Sequence, residues 1–346
     1  MQRSIRSNAI TLAIGLTCLA VLPGAWTIAK TPASDLSIQF GNGETQRLYE
    51  ARFEENFPLA IHIRHAWSAL KIGLLSEPAA GAIMGKSGTL FTVEEFQAPE
   101  ASINFARELS VTRSAIEALG AKLLTVIIPD KSRMLSHELP RRRSAEFERR
   151  YESLLEELGA QKLPVIDLRS ALAEPGSFMV TDTHWSPQGA YRSALAISDY
   201  AIEHVASHTQ FELARGPIRQ FEGDLIAFAD TGPWRPIVGP VSETIQTFNI
   251  EQKASENDDS LGLFDDVTIP VALVGTSFSA REDFHFADFL KVALHADLTS
   301  YALEGLGPFE PMQRFLEDKS VSENPPQIVI WEIPERYINT WSHTND

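Results

Sequence analysis

Cysteine is almost absent from this chain, in which Cys18 is the one thiol among 346 residues. A single cysteine excludes an intrachain disulfide. Cys18 also lies inside an apolar N-terminal run, where burial in a membrane disfavours the thiolate that a reactive cysteine needs. The chemistry of this protein therefore has to come from other residue types.

Basic residues are also scarce, since 30 Lys and Arg stand against 46 Asp and Glu, for a net charge of −16. Beyond residue 30 the balance is 27 basic against 46 acidic residues, or −19. Such a body repels nucleic acid and anionic lipid surfaces. The composition thus disfavours a nucleic-acid partner, and a polyanionic ligand would require a local basic rim.

The first 30 residues lack Asp and Glu altogether, and no charge interrupts residues 7–29. That run is long enough to span a bilayer with some tilt, and its basic flank predicts a cytoplasmic N-terminus. Two interpretations of residues 1–30 stay open: an uncleaved signal anchor in the inner membrane, and a signal peptide cut near Ala29 or Ala33. We favour the anchor, because the apolar region of a signal peptide is shorter. Both interpretations place the remaining chain in the periplasm.

The rest of the chain contains no internal repeat and is organised as a linker over residues 31–43 and one domain over residues 44–346. From residue 101, amphipathic helical segments alternate with short runs rich in β-branched residues, such as KLLTVII, VALV and QIVIW. This alternation predicts an α/β fold with a parallel sheet sandwiched by helices. GAIMGKSGTLFTVEEF predicts a short hairpin. Residues 209–262 break the pattern and are predicted to form a loop-rich insertion.

Unusual polar residues follow the predicted strands. In open α/β sheets, ligands bind beyond the carboxyl ends of the strands, so these residues are expected to converge on one rim. They are Asp130 and Lys131 after LLTVII, residues 275–277 after VALV, residues 304–307 after LTSYAL, and residues 332–336 after IVIW.

The segment VTDTHWSPQGA, residues 180–190, carries an Asp-x-His pair. Three interpretations are considered for it: a metal site, a helix cap, and part of a catalytic triad. Ser186-Pro187 predict an N-cap followed by proline at the first helical position, but this cap does not explain Asp182. A metal site needs further ligands, which the neighbouring histidines do not supply. In an extended loop residues i and i+2 face the same side, so the Asp182 carboxylate can orient the His184 imidazole.

Ser277 supplies the missing nucleophile. It follows Gly275 at the sharp exit of the predicted strand VALV, where tight backbone geometry exposes Oγ and leaves N–H groups free for an oxyanion. Taken alone, this turn is equally consistent with a strand that simply ends in polar residues. Together with Asp182 and His184 it predicts a Ser-His-Asp triad, which Trp185 can wall.

Several segments together resemble the alginate O-acetyltransferase family of the AlgJ/AlgX type, whose catalytic domain is SGNH-hydrolase-like, with a flavodoxin-like sheet. They are VTDTHWSPQGA, VALVGTSFSA, YALEGLGPFEPMQRFL and IVIWEIPERYI. The resemblance covers residues 42–342 and favours the AlgJ-like form, with an N-terminal anchor and without an added C-terminal carbohydrate-binding module. It implies Ser277 as nucleophile, His184 as base and Asp182 as its orienter. Ordinary SGNH hydrolases place the serine first, so the catalytic motifs are expected in permuted order.

Other residues of these motifs have two interpretations each. Gly305 and Gly307 either supply an oxyanion N–H beside that of Ser277 or only form a turn. Arg336 either binds a substrate carboxylate or pairs with Glu332 and Glu335.

Two further basic positions are interpreted in the same way. Lys131 is either a substrate contact or a structural residue. The arginines at 141–143 fit a solvated surface run, or a contact with an anionic polymer. No cofactor and no metal is expected, because a ping-pong acyl transfer through serine requires neither.

The resemblance implies a periplasmic O-acetyltransferase that passes an acetyl group through Ser277 to a hydroxyl of an exopolysaccharide such as alginate. The implied partners are the polysaccharide acceptor, a membrane-bound O-acyltransferase that supplies acetyl groups, other subunits of an export complex, and the inner membrane through residues 7–29. Two alternatives stay open. A polysaccharide acetyl esterase would use the same triad with water, and a non-catalytic export scaffold would not need the triad.

Overall fold

The computed structural model describes residues 21–31, 43–97, 105–206, 209–253 and 269–338. The chain divides into two compact units, one formed by Met1–Leu75 with Asp230–Gly239 and the other by Ser76–Ala229 with Pro240–Asp346. Cys18 and most of the apolar N-terminal run lie outside the described residues. Within the described ranges, no helix is both long and apolar enough to cross a bilayer. The domain boundaries predicted after residues 30 and 43 stay predictions.

Helices and strands alternate along most of the larger unit, as the sequence predicts. In chain order the described elements are α1 (Glu44–Asn56), α2 (Ala60–Leu75), β1 (Ala82–Met84), β2 (Leu90–Thr92), α3 (Phe105–Ala118), β3 (Lys122–Ile128), α4 (Lys131–Met134), α5 (Ala145–Ala160), β4 (Val165–Asp167), α6 (Arg169–Leu172), α7 (Pro187–Ala201), β5 (Phe211–Phe221), α8 (Arg235–Val238), β6 (Glu243–Gln252), β7 (Val271–Val274), α9 (Ser277–Ala280), α10 (Phe286–Leu294), β8 (Leu298–Ser300), α11 (Phe309–Glu317), α12 (Lys319–Glu323) and β9 (Ile328–Pro334).

The central sheet of the larger unit has five parallel strands in the order β4-β3-β9-β7-β8. Strand β9 pairs with β3 over its full length and with β7 on its other side. All residues of β9 are buried, as expected for a parallel strand covered on both faces. The carboxyl ends of β3, β7 and β9 therefore meet at one edge of the sheet.

Alternate side chains of each strand enter two separate hydrophobic cores. Leu124 and Val126 of β3 pack in one core with residues of α7 and α10. Leu123 and Ile127 pack in the other core with residues of α3, α5 and α11. Because strand side chains alternate with a period of two, these short apolar runs cover both faces of the sheet. The predicted α/β sandwich is confirmed.

Residues 209–262 contain more regular structure than the loops predicted there. Strands β5 and β6 pair into a long antiparallel ribbon, with Phe211 opposite Gln252 and Phe221 opposite Glu243. Most side chains of β5 are exposed on both faces, so the strand lacks the hydrophobic alternation by which a half-buried strand is recognised. The predicted hairpin at the start of the larger unit is confirmed, since β1 pairs antiparallel with β2.

In the smaller unit, the segment over residues 230–239 packs on helix α2. Gly232 has a φ of 50°, and a Cβ at that position would lie 2.1 Å from His65 Nδ1. His65 Nε2 lies 3.2 Å from Asp230 Oδ2. A glycine is therefore required at 232 both for its backbone conformation and for the close approach to α2.

Candidate active site

Three side chains from two distant segments meet at the carboxyl edge of the sheet. His184 Nε2 lies 2.7 Å from Ser277 Oγ, and His184 Nδ1 lies 2.6 Å from Asp182 Oδ1. Asp182 and His184 are buried, whereas Ser277 is partly exposed. The structure thus brings the three predicted residues into one line of hydrogen bonds, which is the arrangement of a Ser-His-Asp triad.

The loop that carries the acid and the base is closed by its own backbone. Phe178 and Trp185 form an isolated antiparallel bridge. At the end of the loop, Ser186 Oγ accepts the N–H of Gly189 at 3.1 Å, and Pro187 occupies the first turn of α7. The helix start predicted at Ser-Pro is confirmed.

Neighbouring segments hold this loop from outside. Lys131 Nζ donates to the carbonyls of Leu90, Val180 and Asp182 at 2.6, 3.2 and 2.9 Å. Glu243 of β6 accepts the N–H of Val180 at 2.7 Å. Lys131 is 1% exposed, and burial lowers its pKa to about 8. Its contacts match the structural interpretation, because the amine ties the loop to β2 and has no access to substrate.

Ser277 begins α9, directly after a turn that packs on β9. The N–H of Thr276 donates to Glu332 Oε2 at 2.7 Å, and Ser279 Oγ donates to the same oxygen at 3.0 Å. A Cβ at Gly275 would lie 2.4 Å from Glu332 Oε2. The φ of Gly275 is not positive. Close approach of Glu332, and not unusual backbone geometry, therefore requires glycine at this position.

Both carboxylate oxygens of Asp182 are occupied. Oδ1 accepts from the backbone N–H and from Nδ1 of His184, and Oδ2 accepts from the N–H of Asp224 and from Nη1 of Arg281, all within 3.0 Å. Burial alone raises the pKa of Asp182, but the hydrogen bond and charge of His184, together with Arg281, hold this pKa well below its ordinary value. Asp182 is therefore ionised at neutral pH and able to stabilise an imidazolium.

Asp224 is a second carboxylate at the site, and no motif in the sequence singles it out. Its Oδ2 lies 3.7 Å from His184 Nδ1. Burial, followed by the negative charge of Asp182, raises the pKa of Asp224, although 38% of its side chain is exposed. A Cβ at Gly223 would lie 2.1 Å from the carbonyl of Thr181. That glycine is the one local signal of the close packing that brings Asp224 to the loop.

Aromatic rings enclose the imidazole of His184. Phe278 approaches it edge-on at 4.7 Å between centroids, and Phe284 lies stacked at 5.6 Å. Trp185 is fully buried and packs on Phe278 and Phe286 at 5.2 and 4.6 Å. The sequence predicts that Trp185 lines the site. In the structure it belongs to the hydrophobic core beneath the loop that carries His184, and it does not line the cavity described below.

A cavity of about 290 Å³ opens onto Ser277 and His184, near the lower end of the roughly 300–1,000 Å³ typical of ligand sites. A second cavity of about 920 Å³ adjoins it. Gly307 lines only the larger one. The residues that line both cavities are Glu94, Gly305, Arg336 and Tyr337.

Two backbone N–H groups at the site are free to donate to an oxyanion. The N–H of Ser277 donates to no described residue, whereas the next N–H, of Phe278, is taken by Thr276 Oγ1 at 3.3 Å. Gly305 has a φ of 74°, lines the cavity of Ser277, and its N–H likewise has no acceptor in the described part of the chain. Between the two predicted glycines, Gly305 is therefore the better oxyanion candidate, and Gly307 fits the turn interpretation.

Arg336 is 6% exposed and lines both cavities. The sequence suggests Glu332 and Glu335 as its structural partners, but the ion pair in the structure is with Glu94, and Glu332 interacts with Arg336 only through charge. Its Nε lies 3.2 Å from Glu94 Oε2, while Glu335 pairs with Arg133 at 2.7 Å. Arg336 thus has one ion pair, with the exposed Glu94, and the buried Glu95 and Asp130 act on it through charge alone.

Buried arginine and carboxylate side chains form a network of ion pairs near the ends of β3 and β9. Asp130 Oδ2 accepts from Arg143 Nη1 at 2.8 Å, and Glu335 accepts from Arg133. Burial and the nearby charge of Glu335 raise the pKa of Asp130 to about 7. The solvated run predicted at 141–143 is wrong for Arg143, which is 7% exposed, because its guanidinium is drawn inward by these carboxylates.

The acid-base loop also has the ligand types of a metal site. Asp182, His184 and Asp224 place one ligand atom each within 4.8 Å of one another. However, His184 Nδ1 is bonded to Asp182, whose other oxygen is bonded to Arg281. These contacts use the same atoms that a metal would need, and they favour the triad. The absence of a metal requirement stays a prediction.

Comparison with known proteins identifies AlgJ and AlgX relatives and solved structures of the same fold. Residues 82–335 match the family model described as SGNH hydrolase-like domain, acetyltransferase AlgX. The "Probable alginate O-acetylase AlgJ" of Pseudomonas aeruginosa is 33% identical over 341 residues, which cover 92% of this chain and 84% of the relative. The "Alginate biosynthesis protein AlgX" of Azotobacter vinelandii is 27% identical over 67% of this chain and 49% of the relative.

Solved structures agree with this assignment. The O-acetyltransferase domain of Pseudomonas putida AlgJ matches with a TM-score of 0.65 and 28% identity, covering 77% of this chain and 96% of that domain. Pseudomonas aeruginosa AlgX shares the fold, with a TM-score of 0.58 and 22% identity, covering 73% of this chain and 62% of AlgX. The resemblance seen in the sequence motifs is confirmed: this chain belongs to the family of SGNH hydrolase-like acetyltransferases of the AlgX type.

Proposed function

We propose that this chain is a serine O-acetyltransferase, which carries an acetyl group on Ser277 and delivers it to a hydroxyl of an exopolysaccharide such as alginate. The observation that carries the proposal is the line of hydrogen bonds from Asp182 through His184 to Ser277. It occurs in a chain whose relatives include proteins named "Probable alginate O-acetylase AlgJ".

In the first half-reaction, Ser277 Oγ attacks the carbonyl carbon of an acetyl donor while His184 Nε2 accepts the Oγ proton. The ionised Asp182 stabilises the resulting imidazolium through Nδ1. The N–H groups of Ser277 and Gly305 are assigned to the oxyanion. The donor then leaves with the proton from His184, and the acetyl group stays on Oγ as an ester.

In the second half-reaction, a sugar hydroxyl enters the same cavity. His184 Nε2 takes the hydroxyl proton as the sugar oxygen attacks the acetyl carbonyl. The bond between the acetyl carbon and Ser277 Oγ then breaks, and His184 returns the proton to Oγ. The triad is regenerated, and the acetyl group is an ester of the polysaccharide.

The proposal extends to location and partners. The chain is assigned to the periplasm and to the inner membrane through residues 7–29, with the domain over residues 44–346 on the periplasmic side. A membrane-bound O-acyltransferase supplies acetyl groups, and other subunits of an export complex bring the polymer. Support comes from the names of the relatives and from the apolar N-terminal run.

The test uses the whole chain, purified in detergent and incubated with 4-nitrophenyl acetate, with and without an oligosaccharide acceptor. Acetylated oligosaccharide, identified by mass spectrometry, is the expected product. Ser277→Ala is expected to abolish it, while Ser114→Ala, on the exposed surface of α3, leaves it unchanged. Release of acetate without acetylated sugar would indicate an esterase. Unchanged transfer by Ser277→Ala would refute the proposal.

A further inference from the structure

Helix α2 of the smaller unit carries large apolar side chains on a face that no described residue covers. The residues that share this face, each between 50% and 75% exposed, are Ile63, Trp67, Leu70 and Leu74. Their spacing of four, three and four residues places them on one side of the helix, and they are called the α2 stripe below. A contiguous row of exposed apolar side chains is typical of a surface that binds a protein or a membrane.

The opposite side of α2 is already occupied by protein. Ala69 and Ile72 are buried there, and a Cβ at Gly73 would lie 3.1 Å from Val238. A surface helix of a globular protein is ordinarily apolar on the one side that faces its core and polar on the other. Because the segment over residues 230–239 covers one apolar side of α2, the α2 stripe is left for a partner outside the described chain.

Acidic residues are missing from this part of the sequence. Residues 56–76 contain no Asp or Glu, and no longer acid-free stretch occurs beyond residue 30, where the net charge is −19. Residues 231–242, which include most of the segment that packs on α2, are acid-free as well. The formal charges on α2 are those of Arg64, which pairs with Glu54 of α1, and Lys71. A helix without acids can approach the phosphates of lipid headgroups, which the acidic remainder of the domain repels.

The position of α2 relative to the apolar N-terminal run indicates which partner this is. The described end of that run is helical over residues 21–30, where Trp26 is exposed and Lys30 Nζ lies 5.8 Å from its ring centroid. A tryptophan followed by a basic residue is typical of a helix end at the level of the headgroups. The next residue, Thr31, accepts a hydrogen bond from Asn56 Nδ2 at 3.0 Å, and α2 begins four residues after that contact. The α2 helix therefore starts beside the end of the proposed membrane span.

We infer that the α2 stripe binds the periplasmic leaflet of the inner membrane, with α2 lying along the bilayer surface. The inference goes beyond the proposed function and uses only the membrane location proposed with it. A helix bound in this way inserts its apolar face about 5–10 Å, to the boundary between headgroups and acyl chains. Trp67 is the residue type most typical of that depth, and Arg64 and Lys71 flank the stripe, where long basic side chains reach headgroup phosphates. The smaller unit is thereby held on the bilayer by a second contact, in addition to the span over residues 7–29.

Fluorescence quenching by lipid tests the contact directly. The whole chain, carrying Cys18→Ser and one new cysteine labelled with a nitrobenzoxadiazole dye, is reconstituted into phosphatidylcholine vesicles. The dye is placed on the stripe by Leu74→Cys, on another exposed side of α2 by His62→Cys, and on the exposed β5 of the larger unit by Ile218→Cys. Phosphatidylcholine with a spin label high on its acyl chain is expected to quench the dye at Leu74→Cys at least about twofold, at His62→Cys less, and at Ile218→Cys by less than about a tenth.

The natural Cys18, labelled in the otherwise unchanged chain, reports on the membrane span separately. Quenching of Cys18 without quenching at Leu74→Cys would overturn the inference and leave the proposed location standing. Quenching at Leu74→Cys but not at Cys18 would argue against the span and would still support the contact of α2 with lipid. Equal quenching at Leu74→Cys and Ile218→Cys would overturn the inference, since the contact would then not be specific to α2. None of these readouts depends on acetyl transfer, which tests the proposed function.

A protein partner on the α2 stripe would give a different result. The dye at Leu74→Cys would be shielded from iodide in the aqueous phase and yet not be quenched by spin-labelled lipid, and shielding that increases with protein concentration would indicate a second copy of the chain. Either result overturns the inference. Adding Leu70→Glu, which puts an acid on the stripe, is expected to reduce lipid quenching at Leu74→Cys by at least about half. Ile218→Glu is the matched control for charge and is expected to leave that quenching unchanged, and an equal effect of the two substitutions would contradict the inference.

Discussion

Replacement of Glu332 by glutamine tests how the turn at Ser277 is anchored. Glu332 is fully buried and accepts hydrogen bonds from Thr276 and Ser279. Burial raises the pKa of Glu332 from 4.5 to about 7, although these hydrogen bonds lower it. Between those two values the native protein keeps a proton that the unfolded chain has released. Stability therefore falls as pH rises from 4.5 to 7.

The size of this loss of stability follows from the shift in the pKa of Glu332. At about 1.4 kcal/mol per pH unit, a rise from 4.5 to 7 corresponds to a loss of about 3 kcal/mol above pH 7. Glu332→Gln carries no charge, and its Oε1 can still accept the N–H of Thr276. The variant is expected to match the wild type below pH 4.5 and to exceed it by up to about 3 kcal/mol at pH 8.

Urea unfolding followed by tryptophan fluorescence at pH 4.5, 6 and 8 measures this difference. Glu156→Gln, which replaces an exposed carboxylate on α5, is the control for a change of net charge. A difference between Glu332→Gln and the wild type that is the same at all three pH values would refute the reasoning.

Three further substitutions test the site. Gly275→Ala is expected to lose about 1–3 kcal/mol of stability and most of its activity, because the new Cβ would lie 2.4 Å from Glu332 Oε2. Gly159→Ala is the control, since nothing lies within 4 Å of its Cβ, and it is expected to keep the stability of the wild type. Urea unfolding measures the difference between the two variants. Asp182→Asn is expected to lower kcat about 10³- to 10⁴-fold in the ester assay, and a loss below tenfold would contradict its role. Lys131→Met removes the amine that donates to three carbonyls, of which that of Val180 still accepts the N–H of Leu90, and is expected to cost about 1–3 kcal/mol; an unchanged unfolding midpoint would contradict its bracing role.

The sheet could be predicted because its signals are local and strong. Runs such as KLLTVII and QIVIWEIP are buried on both faces, so nearly every residue in them is apolar. The ribbon of β5 and β6 could not be predicted in this way, since most of its side chains face solvent and its pairing joins residues far apart in sequence.

The sequence predicts the three triad residues but not the residues that contact them. Asp182 and His184 stand two residues apart, and Ser277 follows a strand exit marked by Gly275, so short patterns point to them. Asp224 reaches the site only because its own loop packs on the histidine loop. Arg281 reaches Asp182 from the end of α9, and no spacing in the sequence predicts that contact.

The closed loop between Phe178 and Trp185 keeps the acid and the base in one short segment of the chain. The rest of the fold then has to place one loop against a serine at a strand exit, and Lys131, Glu243 and Arg281 hold the loop there. Chain order then becomes irrelevant, and a serine that precedes the loop or follows it serves equally well. A mutation that displaces this loop is therefore expected to reduce activity by increasing the separation of His184 Nε2 from Ser277 Oγ.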